Sequence, residues 1–263
     1  MIIVLTILVI VIVILIYIIK NNNTKSIIVS MSTIPERLES DTISKTLDSI
    51  MKQTYPVKRI HVNIPYTSLK GKKYPENIIK KLKRKYPDVF FDRIDTDYGP
   101  ITKLLPTIKH LKNNEWIVLV DDDVIYDKNM IKQLVDSGYD AVGCACRQGE
   151  QLKYITSENI KKDEPCDILE TYAGVLYKGD IFNDFEKYHG NKNKVCLFQD
   201  DIQIAHYLKE KNIKKMIIKG KHPVIEHNPH GSPSLNSYNT LEDGGNRKCY
   251  DKIFKQPPVS QPF

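Results

Sequence analysis

A chain of 263 residues is long enough to bury a full core in one α/β domain, and 41% hydrophobic with 27% charged residues excludes a collagen-like, wholly disordered or disulfide-scaffold protein. Lys and Arg number 39 against 32 Asp and Glu, a net charge of +7. The lysines are scattered and no nucleic-acid-binding motif accompanies them, so the surplus reads as solvated surface and no nucleic-acid partner is expected.

Residues 2–19 are apolar except for Thr6 and Tyr17. As a helix rising 1.5 Å per residue they extend roughly 27 Å, close to the thickness of a bilayer's hydrocarbon core. The run ends in Lys20 and three asparagines rather than in a small-residue cleavage site, so residues 1–20 read as an uncleaved single-pass anchor and 21–25 as a polar linker. Lys20 and Lys25 follow the apolar run, which by the positive-inside rule places the body in the cytoplasm.

Beyond the linker the pattern alternates. A β-branched run over 26–31 predicts a strand, and Ile43, Leu47 and Ile50, at spacings of four and three, predict an amphipathic helix over 39–52. Next come a strand over 59–64, a helix over 75–86, a strand over 89–94, a helix over 101–111 and a wholly apolar strand over 116–120. Such alternation predicts a Rossmann-like, mostly parallel sheet whose ligands bind beyond the carboxyl ends of the strands. From Tyr139 onward strands over 140–145, 152–156, 173–177 and 215–218 and a helix over 200–211 predict a mixed second half with antiparallel character. One domain over 26–230 results, and the tail from His227, rich in Pro, Gly, Asn and Ser, reads as surface loop, with 231–263 a loop-rich extension. Cys144, Cys146, Cys166, Cys196 and Cys249 contain no Cys-x-x-Cys, which argues against a zinc ribbon or thioredoxin-type site. Buried free thiols are expected, with one or two disulfides open if the body faces an oxidising compartment.

The strand over 116–120 runs straight into Asp121, Asp122 and Asp123. Three carboxylates that close repel one another unless something positive is present, and a hard divalent cation suits them because it prefers oxygen ligands and bridges the oxygens of a diphosphate. Asp121 and Asp123 can turn toward the strand end while Asp122 faces elsewhere. A solvated turn capping the next helix, with Asp127 as N-cap, accounts for one acid and not three. Asp95 and Asp97 share the spacing, but Tyr98, Gly99 and Pro100 make a turn the simpler reading there. Asp200 and Asp201 head an amphipathic helix, where acids meet the macrodipole favourably and where one could also serve as general base. His227 and His230, near His222, could lend a nitrogen to the same metal. Lys103 could neutralise phosphate charge.

These pieces together resemble a GT-A fold glycosyltransferase of the family 2 type over most of the body, roughly residues 27–230. The resemblance rests on Ser32-Thr-Ile-Pro-Glu-Arg37, Gln53-Thr-Tyr-Pro56, Asp97-Tyr-Gly-Pro-Ile-Thr-Lys103, the acidic triplet and Gln199-Asp200-Asp201, in that order. It implies a nucleotide-sugar donor, with UDP favoured, that lies against Thr33, Pro35, Arg37 and the start of the triplet at Asp121 and Asp122. Asp123, with Asp121 and His227 or His230, would ligate Mn²⁺ or Mg²⁺, and Lys103 would lie near the nucleotide or diphosphate. Asp201 would be the base that activates a hydroxyl of a glycan, glycolipid or protein acceptor, and Asp200 would hold that acceptor. The chain has Asp-Asp where the family commonly has Glu-Asp. In-line displacement with such a base inverts the anomeric centre; if the second acid only caps its helix, a retaining reaction follows instead. The family often has a lumenal body, so the side of the membrane is left open. Two competing readings are a metal-dependent nucleotidyltransferase, which would normally add a Gly-rich phosphate loop that is not found after the first strand, and a membrane-tethered sugar-binding protein with a degenerate site.

Overall fold

The computed structural model describes residues 24–112, 114–190, 194–227 and 244–255. The anchor expected over 1–20 and the candidate ligand His230 lie outside them; among the described residues no helix is long and apolar enough to cross a membrane. The first half contains strand β1 (Ser26–Ser32), helices α1 (Pro35–Glu39) and α2 (Thr42–Met51), β2 (Val57–Pro65), α3 (Glu76–Lys85), β3 (Val89–Ile94), α4 (Leu105–Ile108) and β4 (Glu115–Leu119). The second half continues with β5 (Val124–Tyr126), α5 (Met130–Asp136), β6 (Ala141–Gly143), β7 (Ala145–Gln148), β8 (Lys153–Thr156), β9 (Glu164–Pro165), β10 (Ile168–Leu169), β11 (Val175–Lys178), α6 (Phe185–Gly190), α7 (Asp200–Glu210), β12 (Met216–Ile217), β13 (Val224–His227) and α8 (Gly245–Phe254).

An eight-stranded sheet runs in the order β3-β2-β1-β4-β11-β6-β12-β9. Its first four strands are parallel, β11 enters antiparallel between β4 and β6, and β9 lies antiparallel to β12 at the edge. The mixed second half expected from the sequence is therefore present. Both faces of the sheet are covered, which is why β4 is apolar from Trp116 onward, its first residue, Glu115, being paired with Lys58 and Arg59. Val118 and Val120 pack with Leu47 and Ile50 of α2 and Ile131 and Leu134 of α5, whereas Ile117 and Leu119 pack on the other side with Leu105, Phe185, Ile204 and Leu208.

Five expectations are corrected. The helix over 39–52 starts later, at Thr42, because Asp41 adopts a left-handed conformation (φ 58°) that separates it from α1. The helix over 101–111 is a 3-10 turn at Gly99–Lys103 followed by the single turn α4. Pro100 and Pro106 have no N–H to give, and the Ser30 hydroxyl takes up the Lys103 carbonyl at 2.6 Å. The strand over 140–145 divides at Cys144, so β6 joins the large sheet and β7 a three-stranded one with β8 and β10. The tail expected to be loop contains α8, and the thiols expected to be free are mostly paired: Cys146 bonds Cys166 and Cys196 bonds Cys249, leaving Cys144 buried and free.

The Cys196–Cys249 bond ties α8 to the 3-10 turn Lys194–Cys196, just before α7, across 53 residues of sequence, around a small apolar cluster of Leu152, Ile168, Ile202 and Ala205. Closing so long a loop restricts the unfolded chain. Cys249→Ser is expected to cost about 2–4 kcal/mol, read as a lower melting temperature in non-reducing buffer. An unchanged melting temperature would remove the tether from the account.

Candidate active site

The parallel strands bring their carboxyl ends to one edge of the sheet, and β11 adds to it because it runs the other way. Its first residue, Val175, pairs with Leu119 at the end of β4, so Glu170, Thr171 and Tyr172 are delivered beside Asp121, Asp122 and Asp123. Gly174 permits that approach: its φ is 80°, and a Cβ there would stand 2.8 Å from the Met130 sulfur. The acidic turn is fixed by its backbone. The Asp121 N–H donates to the Tyr126 hydroxyl at 3.0 Å, that hydroxyl donates to the Tyr172 carbonyl at 2.8 Å, and the Thr46 hydroxyl donates to the Asp122 carbonyl at 2.9 Å.

Two cations hold the triplet. α1 begins with Pro35 in its first turn, buries Pro35 and Leu38, and so turns Arg37 toward the acids. Arg37 pairs with Asp122 and, through its second terminal nitrogen, with Asp123 Oδ2 at 2.7 Å. The expected grouping of Asp121 with Asp123, apart from Asp122, is corrected: Asp122 and Asp123 share the Arg37 guanidinium, and Asp121 pairs with Lys103 instead. Lys103 is only 4% exposed. Its ammonium pairs with Asp121, lies 3.0 Å from Asp200 Oδ2 and donates to the Thr171 hydroxyl at 3.0 Å. The Thr171 hydroxyl in turn donates to Asp201 Oδ1 at 2.7 Å, and the Thr171 N–H donates to the same oxygen at 3.1 Å. Beneath this, Ser30, Asn63 and Thr107 form a buried network: Asn63 donates to Thr107 Oγ1 at 2.9 Å, and Ser30 and Thr107 hydroxyls lie 2.7 Å apart.

Burial and mutual repulsion drive these carboxylates apart in acidity. Burial opposes ionisation of Asp121, but the neighbouring Lys103 overcomes it and holds the carboxyl below its usual range. Burial and then the charge of Asp122 push Asp123 up to about 7. Asp201 is raised well above the usual carboxylate range by burial, followed by Asp200 and Glu170. Groups spread in this way are what acid–base and ion-binding sites are made of.

All these side chains line one cavity of about 780 Å³, in the upper part of the range of small-molecule and cofactor sites. Thr33, Pro35, Arg37, Lys103, Asp121, Asp122, Asp123, Asp200, Asp201 and His227 stand on its walls. Asp97 lines it too, but its carboxylate accepts the N–H groups of Leu69 and Gly99, each at 2.8 Å, and so closes a turn. Asp127 does not cap the following helix; Asn129 occupies that position. Among the wall residues that the sequence reading did not single out are Arg147, Tyr154, Glu170, Thr171 and Tyr172. The only local cue was an acid placed directly after the apolar pair Ile168-Leu169 and shortly before a glycine.

Among the described residues, eight carboxylates face four Lys or Arg side chains around the cavity. Asp123 Oδ1 is buried and has no hydrogen-bond partner, a costly state that a cation would relieve. Among the described residues no three His, Cys, Asp or Glu side chains already converge as a metal cage. The donor chemistry nevertheless fits a hard divalent ion: an unpartnered Asp123 oxygen, with Asp121 and the His227 imidazole on the same cavity.

The fold is an α/β fold of the GT-A type. The sequence model of Glycosyltransferase like family 2 matches residues 32–230; the chain belongs to that family. The fold is similar to that of S. aureus TarS 1-349 in complex with UDP, at 16% identity and TM-score 0.51, covering 76% of this chain and 59% of that one. It is also similar to the mannosyltransferase PcManGT from Pyrobaculum calidifontis with GDP-Man and Mn²⁺, at 16% identity and TM-score 0.55, covering 89% and 65%. GalNAc-T7 with UDP, GalNAc and Mn²⁺ has 12% identity and TM-score 0.58, covering 88% and 48%. The chain thus spans about half to two-thirds of the length of these proteins. No curated protein matches it in sequence.

Arg37→Met removes the cation that touches both Asp122 and Asp123. Uncompensated buried carboxylates are expected to cost about 3–5 kcal/mol near neutral pH. Without the guanidinium the Asp123 carboxyl rises further above its unfolded value, and a group raised on folding loses stability as pH climbs toward that raised value. The deficit relative to wild type, measured by urea denaturation without divalent metal, should widen as pH climbs above about 7, where Asp123 ionises in the wild type and not yet in the variant. A constant deficit would mean that Arg37 acts through packing alone.

Proposed function

We propose that this chain transfers a sugar from a nucleoside-diphosphate donor, UDP being the first choice of nucleotide, to an acceptor hydroxyl with inversion, and that a divalent cation assists. The observation that carries this reading is the pairing of a strand-end acidic triplet with a helix-start acidic pair across one cavity, bridged by Lys103 and Thr171. The family match and the UDP, GDP-Man and Mn²⁺ named for the similar structures support it. The unpartnered Asp123 oxygen and the intact acids weigh against a degenerate binding protein.

Asp123, with Asp121 and His227 or His230, would hold Mn²⁺ or Mg²⁺, which when bound supplies Lewis-acid neutralisation of the leaving diphosphate. Thr33, Pro35 and Arg37 border the nucleotide end of the cavity. Lys103, on the wall of the same cavity, neutralises Asp121 and Asp200 and would lie near the nucleotide or diphosphate. Asp201, oriented by both donors of Thr171, takes the proton of the attacking hydroxyl, and its raised affinity for protons makes it a better base than an ordinary carboxylate. Asp200 stands beside it to hold the acceptor. The body is tethered to a membrane by the apolar run over 2–19, a reading supported by the sequence.

Asp123→Ala is expected to abolish the rise in melting temperature given by UDP with Mn²⁺. Asp201→Asn should keep that rise and lower kcat about 10²–10⁴-fold. Because Asp201 must be deprotonated to act, the acid limb of the wild-type pH–rate profile should lie above the usual carboxylate range and should disappear in the variant's residual activity. Equal loss of UDP binding in both variants would overturn the assignment of roles, and NMR of the product anomer checks inversion.

A further inference from the structure

A second ligand must reach Asp201, and the wall beside that carboxylate differs from the nucleotide side. Glu170, Thr171 and Tyr172 are consecutive, and Thr171 is the residue that grips Asp201. Glu170 accepts a hydrogen bond from Arg147 Nε at 2.6 Å. Tyr172 and Tyr154 meet through their hydroxyls, and the Arg147 guanidinium lies 5.7 Å from the centre of the Tyr154 ring. Tyr154 is 43% exposed although it stands on the cavity wall. The sheet of β7, β8 and β10 thus presents an aromatic ring rimmed by a guanidinium, a carboxylate and a second phenol, next to the base.

Charge decides what such a wall accepts. The net +7 is a property of the whole chain, whereas the cavity holds twice as many carboxylates as Lys and Arg side chains. Arg147 is engaged by Glu170, and Lys103 by Asp121 and Asp200. An acceptor carrying phosphate or carboxylate would meet unbalanced negative charge at Asp201. A pyranose offers what this wall can use: an apolar C–H face for the ring and a hydroxyl edge for the carboxylate and guanidinium.

We propose that Tyr154, Tyr172, Arg147 and Glu170 form the acceptor subsite and that the acceptor is an uncharged saccharide, its ring on Tyr154 and one hydroxyl at Asp201. This rests on the transfer reading above and narrows the acceptor to a neutral sugar. The acceptor oxygen bonds the anomeric carbon of the donor sugar as the bond from that carbon to the diphosphate oxygen breaks; the electron pair leaves with the diphosphate, and the acceptor's proton passes to Asp201.

The test uses the full chain in detergent with Mn²⁺, a panel of UDP-sugars and GDP-mannose, and four acceptor sets: methyl hexosides with neutral disaccharides, uronic acids, sugar phosphates, and Ser/Thr peptides. Neutral sugars should be accepted with kcat/KM at least about tenfold above the other sets. Tyr154→Ala should raise the acceptor KM about tenfold or more, while Tyr154→Phe, which keeps the ring, should stay within about threefold of wild type. Both variants should keep the wild-type melting shift with UDP and Mn²⁺. A preference for acidic sugars or peptides, an acceptor KM unmoved in Tyr154→Ala, or neutral sugars that are neither glycosylated nor bound would overturn the subsite, and hydrolysis of the donor would leave the transfer reading standing. Absence of both nucleotide-sugar turnover and a melting shift with UDP would overturn the transfer reading and this subsite with it.

Discussion

The site depends on one electrostatic constraint: several carboxylates are brought together out of bulk water, and two cations keep them there. Two like charges about 4 Å apart repel by roughly 4 kcal/mol at an effective dielectric near 20, so neither the turn after β4 nor the start of α7 could be buried without Arg37 and Lys103. Arg37 suits the first position because a planar fork can satisfy Asp122 and Asp123 at once. Lys103 suits the second because a compact ammonium can sit between Asp121, Asp200 and Thr171. The Ser30, Asn63 and Thr107 network under Lys103 fixes the short helical turns from which it projects.

Topology supplies the rest. Parallel β1, β2 and β4 end at the same edge, and an antiparallel β11 adds the segment that precedes it rather than the one that follows. This inversion places Thr171 against Asp201 and completes the cavity with residues far apart in the chain. The Cys196–Cys249 bond then holds α8 against α7, and Asn246 of α8 stands on the cavity wall.

The parallel half was legible in the sequence because helices and strands there alternate with clean apolar periodicity, and Asp121 to Asp123 are visible as charges interrupting a buried strand. Asp200 and Asp201 were visible for the same reason, at the head of an amphipathic helix. Boundaries failed where side chains reached into the backbone. Pro100 and Pro106 with the Ser30 hydroxyl broke the helix over 101–111, and a left-handed Asp41 delayed the start of the one over 39–52. Arg147, Glu170 and Tyr172 were not legible, since their role comes from the pairing of β11 with β4 and of β7 with β10, contacts that no local pattern encodes. The two disulfides were missed because pairing needs Cα separations of 6.0 and 4.9 Å, which spacing along the chain does not reveal.

Lys103 has an implication for how such a protein could change. One ammonium serves as counter-ion to Asp121 on one side of the cavity and to Asp200 on the other. Remodelling either half therefore alters the electrostatic balance of its opposite number. Diversification of ligand preference would be easiest on the outlying walls, such as the surface around Tyr154, where a side chain can be exchanged without disturbing that common ion.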